Sequence, residues 1–287
     1  MNNRFSLSLQ RFVLLLLCLL LLNGCGLKFY YNRLDWFIPW HVESYMSLSD
    51  EQQQLLEQSL DQHLRWHRTT QLPTYAHWLQ TLSADWQNGL DMTELNTHQA
   101  ILEDYWQALV LQVTPDTAEL LTLASDRQIA DLFVNLEEKN QEYYDEYAAL
   151  PPLELRRKYT QFAIKQFNRW LGQVTPEQNQ LITQWSERIE LTAADRLRYR
   201  RQWQAGLREL LSRRQDSDFF ETALEQYFQF SGFDRPAHYQ LKLEKNRAAF
   251  KALILDIDAT LTPQQKRYLL QRLASFAEDF QQLAQAG

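Results

Sequence analysis

Two cysteines, seven glycines and three methionines in 287 residues leave several ways of building a protein closed. Cys18 lies inside an apolar N-terminal run and Cys25 just after it, so no disulfide framework can staple the rest of the chain. The scarcity of glycine removes the phosphate-cradling loops and the Gly-x-Ser-x-Gly nucleophile elbow. No stretch of useful length alternates apolar and polar residues as a half-buried strand does. The longest apolar run, Phe12 to Leu22, is eleven residues. A membrane-spanning helix needs about 20. Positive charge is also in deficit: 29 Lys and Arg stand against 36 Asp and Glu, a net charge of −7. An acidic chain has no general attraction for nucleic acid, and none is expected as a partner.

The apolar run has a different meaning. Arg4 and Arg11 precede it, and small or polar residues, Asn23-Gly24, follow it before Cys25. A positive leader, a short apolar segment and a small-residue exit read as a secretory signal. The segment Leu22-Asn23-Gly24-Cys25 resembles the lipobox of bacterial lipoproteins. The resemblance implies cleavage after residue 24 and lipidation of Cys25 with palmitate-type acyl chains. Residues 25–287 would then form one periplasmic helical domain held by that lipid. Gly26, where an Asp would favour the inner membrane, implies sorting to the outer membrane, facing the periplasm. No Ser/Gly-rich tether follows. The next residues are the most aromatic in the chain, among them Tyr30, Trp36, Phe37 and Trp40. These rings suit either the headgroup layer of a membrane or the core of a bundle.

What remains is rich in Leu, Gln, Glu, Arg and Ala, the residues of helices. An all-α bundle of about nine to eleven helices is expected. Its punctuation is legible. Ser49-x-x-Gln52, Asp91-x-x-Glu94, Ser125-x-x-Gln128, Thr175-x-x-Gln178 and Thr262-x-x-Gln265 are helix starts of the capping-box type. Thr192 and Asp218 open two more helices, and Pro73 and Pro115 are also read as helix starts. A loop is expected at Gly232–Pro236.

The phrase apolar-Ser/Thr-x-x-Gln recurs at 48–52, 174–178 and 261–265, with a degenerate copy at Val113-Thr114-Pro115. Leu261-Thr262-Pro263-Gln264-Gln265 resembles the signature of small periplasmic stress chaperones, which implies a chaperone-like role; alternatively the phrase is simply a good helix start. A broader likeness rests on Tyr31-Asn32, Asp35-Trp36, the Leu-Ser-x-x-Gln phrase, Arg65-Trp66-His67-Arg68 and Leu72-Pro73-x-Tyr75. Their order after the lipobox resembles a proteobacterial lipoprotein family known only as a domain of unknown function. It implies location and helicity but no mechanism.

No cofactor motif is present and no cofactor is expected. Arg65, Trp66, His67, Arg68 and Tyr75 are the densest mixture of cations and rings, and form the candidate binding surface for an envelope protein or peptide. The alternative is a corner where two helices pack. His63 and His67 sit one turn apart and could hold a metal with a third ligand such as His41 or His77. Glu137, Glu138, Glu142, Asp145 and Glu146 could supply a carboxylate pair to a cell-envelope hydrolase, or form a solvated face that pairs with the seven Arg between residues 196 and 214. A non-enzymatic binding or scaffold protein is the first reading and the hydrolase or metal-binding protein the second.

Overall fold

The computed structural model describes residues 24–228 and 235–286. The leader expected over residues 1–24 therefore lies outside the described residues except for Gly24, as does most of the loop expected at 232–236. The chain is 86% helical and, among the described residues, has no strand. The all-α expectation holds.

In chain order the helices are α1 (Gly24–Tyr31), α2 (Leu34–Glu43), α3 (Asp50–Trp66), α4 (Leu72–Asn88), α5 (Met92–Thr122) and α6 (Asp126–Tyr143). There follow α7 (Pro152–Leu171), α8 (Pro176–Arg188), α9 (Ala193–Leu211), α10 (Ser217–Phe228), α11 (Ala237–Ala259) and α12 (Pro263–Gln285). None is both long and apolar enough to cross a membrane.

Five helices begin on a complete capping box, at Ser49, Asp91, Ser125, Thr175 and Thr262. In each, the cap side chain accepts from the backbone N–H three residues on, and that residue's side chain accepts from the cap's own N–H. Two of the first turn's unpaired donors are thereby satisfied. Helices α4 and α7 stop at Gly89 and Gly172, whose φ values of 99° and 82° fall where side chains with a Cβ are strained.

Of the two prolines read as helix starts, Pro73 stands in the first turn of α4 and Pro115 does not start a helix. At Pro115, α5 runs on without a break. Thr114 is not a cap but bonds back to the Val110 carbonyl at 2.7 Å. Pro73 does open α4, but without a break in the chain before it. Helix α3 continues into α4 through a wide turn at His67–Gln71, in which the Leu72 N–H reaches back to the His67 carbonyl. A proline ring collides with the carbonyl four residues before it and leaves that carbonyl unpaired. Widening the helix by one residue ahead of Pro73 relieves both problems. Hydroxyls assist: Thr69 bonds the Arg65 carbonyl at 2.9 Å and Thr70 the Trp66 carbonyl at 2.7 Å.

The apolar faces gather in two cores. One joins α1, α4, α7, α8, α11 and α12, with Leu27, Leu72, Ile182, Leu269 and Phe276 sealed inside. The other joins α5, α6, α9 and α10 around Phe133, Leu211, Phe220 and Leu224. Leu211 and Leu224 are fully buried, and truncating either to Ala would cost about 2–5 kcal/mol.

Candidate functional site

Beside the second core the helices do not close. α2, α3, α5, α6 and α9 surround a chamber of about 860 Å³. Its walls are the amphipathic stripes of those helices. Leu56, Leu60 and Leu64 come from α3, Leu109, Val113 and Leu120 from α5, Leu132 and Leu136 from α6, and Leu34, Phe37 and Ile38 from α2. Most of these residues stay only half-buried. An apolar stripe left partly uncovered around a concave space is the usual mark of a binding site. Ser59, Thr117, Gln204 and several charged or imidazole side chains also line the chamber.

His63 and His67 both face this chamber, yet they do not act as a pair. His63 Nε2 is 2.8 Å from Asp116 Oδ2. His67 Nδ1 is 2.8 Å from the Tyr31 hydroxyl. His41 also lines the chamber, whereas His77 lies exposed on α4. Among the described residues no three His, Cys, Asp or Glu side chains converge as a metal site.

The stretch Arg65–Arg68 is divided by the structure. Arg65 is exposed and pairs with Asp61 at 3.0 Å. Trp66 and His67 line the chamber. Arg68 turns the other way, donating to Asn32 at 3.0 Å and standing over the Tyr31 ring. Tyr75 packs edge-on to His67, their ring centroids 5.5 Å apart. These five residues therefore do not make one open face, because consecutive helical positions point about 100° apart.

The Tyr31 hydroxyl and His67 Nδ1 share one hydrogen bond, and Arg68 stands over the Tyr31 ring. The imidazole is neutral, since burial pushes its pKa down to about 4. Nε2 of the same ring is buried and has no hydrogen-bond partner in the protein. Tyr31 stays protonated, its pKa pushed up to about 12 by burial.

The acidic stretch has partners of its own. Glu137 is held by Arg201 and Asn140, Glu142 by Lys139, Asp145 by Gln141 and Glu146 by Lys158. The Glu137–Arg201 contact joins α6 to the Arg-rich α9 as a solvated face would. Exposed pairs of this kind contribute little stability.

Against this geometry the comparisons can be weighed. A family model described as a family of unknown function, DUF6279, matches residues 44–232. That is well over half of the chain. The chain belongs to the DUF6279 family. The likeness to an uncharacterised family is confirmed at that level. No curated protein and no solved structure matches. The DUF6279 segment contains α3 to α10, and with them most of the chamber wall; α1, α2, α11 and α12 lie outside it.

Sequence reasoning found the His67 neighbourhood but missed the chamber and its cations. Arg196, Arg200 and Arg235 all line it. The available signal was the Arg-rich run of α9, whose residues 196, 199, 200, 203 and 207 fall on one helical stripe that carries both rings and charge.

Proposed function

We propose that the chain is a lipid-anchored, non-catalytic binding protein of the outer membrane, facing the periplasm, that holds the hydrocarbon part of a ligand in the chamber. The observation that carries this reading is the chamber itself: about 860 Å³ of space, walled chiefly by Leu, Val, Ile and aromatic side chains. The size is that of a ligand pocket. An extended peptide would bring N–H and C=O groups along its whole length against the leucine, valine and isoleucine part of the wall, which offers no partners. A hydrocarbon chain brings none. For this reason a lipid-like ligand suits the site better than a protein or peptide segment.

Anchoring through Cys25 rests on the lipobox resemblance. The exposed rings near it support the same reading. Phe29, Trp36 and Trp40 are 57%, 59% and 52% exposed, so α1 and α2 do not bury them in the core. Trp36 and Trp40 stack with ring planes 8° apart. Exposed Trp beside an acyl anchor suits the headgroup layer. Because Tyr30, Phe37 and Trp40 also line the chamber, that layer would adjoin its mouth.

The test is binding of the neutral dye N-phenyl-1-naphthylamine to the full chain carrying Cys25→Ser, which leaves it without lipid. One saturable site is expected. It should be lost in Val113→Phe/Thr117→Phe, which narrows the chamber from α5. Absence of saturable binding, or binding indifferent to that variant, would refute the reading.

A further inference from the structure

The two helices nearest Cys25 are held very differently. α1 is fixed: Leu27 and Tyr31 are buried in the first core, and Lys28 pairs with Asp279 of α12 at 2.9 Å. α2 has no buried residue, and among the described residues its side chains make no hydrogen bond or ion pair with another helix. Pro39 also removes one bond from its own ladder. The chain is pinned again just past α2. There Met46 is buried, and Asn135 and Gln128 donate to the Tyr45 and Ser47 carbonyls at 2.8 and 2.6 Å. α2 therefore spans two fixed points, and between them it covers the chamber with Leu34, Phe37, Ile38 and Val42.

A series of five rings crosses from α1 to α2. Measured between centroids, Phe29 meets Tyr30 at 5.6 Å, Tyr30 meets Phe37 at 6.1 Å, Phe37 meets Trp36 at 4.9 Å and Trp36 meets Trp40 at 6.2 Å. Phe29, Trp36 and Trp40 are exposed, while Tyr30, Phe37 and Trp40 line the chamber. One cluster thus forms both the rim of the chamber and the outer surface. It lies close to Cys25. α1 is helical from Gly24, so Phe29, four residues past Cys25, is about 6 Å further along the axis. The headgroup layer on each side of a bilayer is about 5–7 Å deep. Because α1 is docked on α12, acyl chains entering a bilayer at Cys25 would hold these rings against that layer. A soluble partner or a second copy would have to displace the lipid surface to reach them.

We infer that α2 is a flap seated in the headgroup layer of a bilayer, and that the chamber exchanges its ligand directly with that bilayer, past α2, without passage through water. This rests on the reading of the chamber as a lipid-like ligand site and of Cys25 as the anchor. It adds the surface on which the protein sits and the route of entry.

The experiment uses the acylated protein, purified from membranes and reconstituted in phosphatidylethanolamine/phosphatidylglycerol vesicles. Acylation blocks Cys25 and Cys18 leaves with the leader, so a spin label reports only an introduced thiol. Labels at Asp35→Cys and Glu43→Cys, exposed positions that bracket the two tryptophans, should be shielded from a water-soluble nickel chelate and accessible to oxygen. In Phe29→Asp/Trp36→Asp, which alters no residue of the chamber wall, both labels should move into water. Uptake of anthroyloxy-labelled palmitate is followed from the same vesicles, which also hold a non-exchanging quencher lipid, as recovery of emission. In that variant it should slow about tenfold or more, the effect expected when two large rings leave the membrane. Binding of N-phenyl-1-naphthylamine by the full Cys25→Ser chain carrying the same two changes should be unaltered. Three results would each overturn the inference and leave the apolar site standing: α2 labels open to the chelate, spin–spin broadening from a second copy over the rings, or uptake indifferent to Phe29→Asp/Trp36→Asp. Failure of the dye to bind would remove both. Labelling of the protein without an introduced cysteine would show Cys25 to be free, and would remove the anchor and the seating with it.

Discussion

Gln178 and Gln265 face each other across a buried contact in which each amide donates to the other, at 3.0 and 2.8 Å. Each glutamine also closes the capping box of its own helix, α8 or α12. The remaining proton of each Nε2 reaches a backbone carbonyl, Thr260 for Gln178 and Gln173 for Gln265. The repeated phrase is thus more than a local start signal, since it joins two helix starts 87 residues apart. The same device recurs more weakly between Gln128 and Gln52, where Gln128 donates at 2.6 Å but Gln52 Nε2 has no partner.

Breaking the paired amides should therefore cost more than losing a cap. Gln178→Leu leaves the buried Gln265 amide unsatisfied, and a loss of about 2–3 kcal/mol is expected by urea denaturation. Gln178→Leu/Gln265→Leu should fall short of the sum of the single changes by about 1 kcal/mol or more, the coupling of neighbours in one network. Additive effects would mean that the pair contributes nothing beyond two caps.

His67 should make stability depend on pH. Its folded pKa lies near 4, below the usual value of 6.5, so the unfolded chain binds the extra proton between those limits. Stability is complete above pH 6.5 and falls as the pH drops towards 4. Between pH 7 and pH 5 this group alone should remove about 2 kcal/mol. Paired denaturation curves at the two pH values should show that His67→Phe is less sensitive by this amount. An unchanged pH sensitivity would contradict the buried neutral assignment.

Asp195 loses its contribution in the same direction, as the pH falls, but as a charged group and not a neutral one. Burial pushes its carboxyl up, but hydrogen bonds from Lys242 and Arg198 outweigh this and hold it below the ordinary carboxylate range. It ties α9 to α11, with Lys242 at 2.7 Å and His238 at 3.3 Å. Its contribution is present at neutral pH and lost in acid, as the carboxyl takes up its proton. Asp195→Asn should lower stability at pH 7 by about 1–3 kcal/mol, the cost of removing one partner from hydrogen bonds to charged groups. A melting temperature equal to that of the unaltered protein would show the network to be dispensable.

Removal of the acyl anchor should be visible in cell fractions. Cys25→Ala is expected to shift most of the protein from the membrane to the soluble envelope fraction, because the remaining aromatic contact is reversible. Adding Trp36→Ala and Trp40→Ala should abolish what residual association remains. Undiminished membrane association of the Cys25→Ala protein would defeat the anchor.

Much of the fold was legible because helix starts are written in a few adjacent residues. Ser49, Asp91, Ser125, Thr175 and Thr262 all cap as their sequence implies. Pro73 stands in a first turn as read, whereas Pro115 does not, because a proline can sit inside a helix when its neighbours hold the rod. The site was less legible. Trp66 and His67 could be singled out as a dense motif, but adjacent residues on a helix face different neighbours, so Arg65 and Arg68 left the chamber. The chamber depends on how far five helices stand apart, and spacing along one helix does not record this. Trp36 and Trp40 suit either a headgroup layer or a core by sequence, and only their exposure in the fold takes them out of the core.

The most direct test of the central claim uses the tryptophans already in place. Trp40, Trp66 and Trp203 line the chamber. Bromine-labelled palmitate titrated into the full Cys25→Ser chain should quench part of the tryptophan emission, saturating at one equivalent. Val113→Phe/Thr117→Phe should abolish this saturable phase without changing the circular-dichroism spectrum. Quenching that rises linearly without saturation, or a saturable phase that survives in the narrowed chamber, would contradict the account.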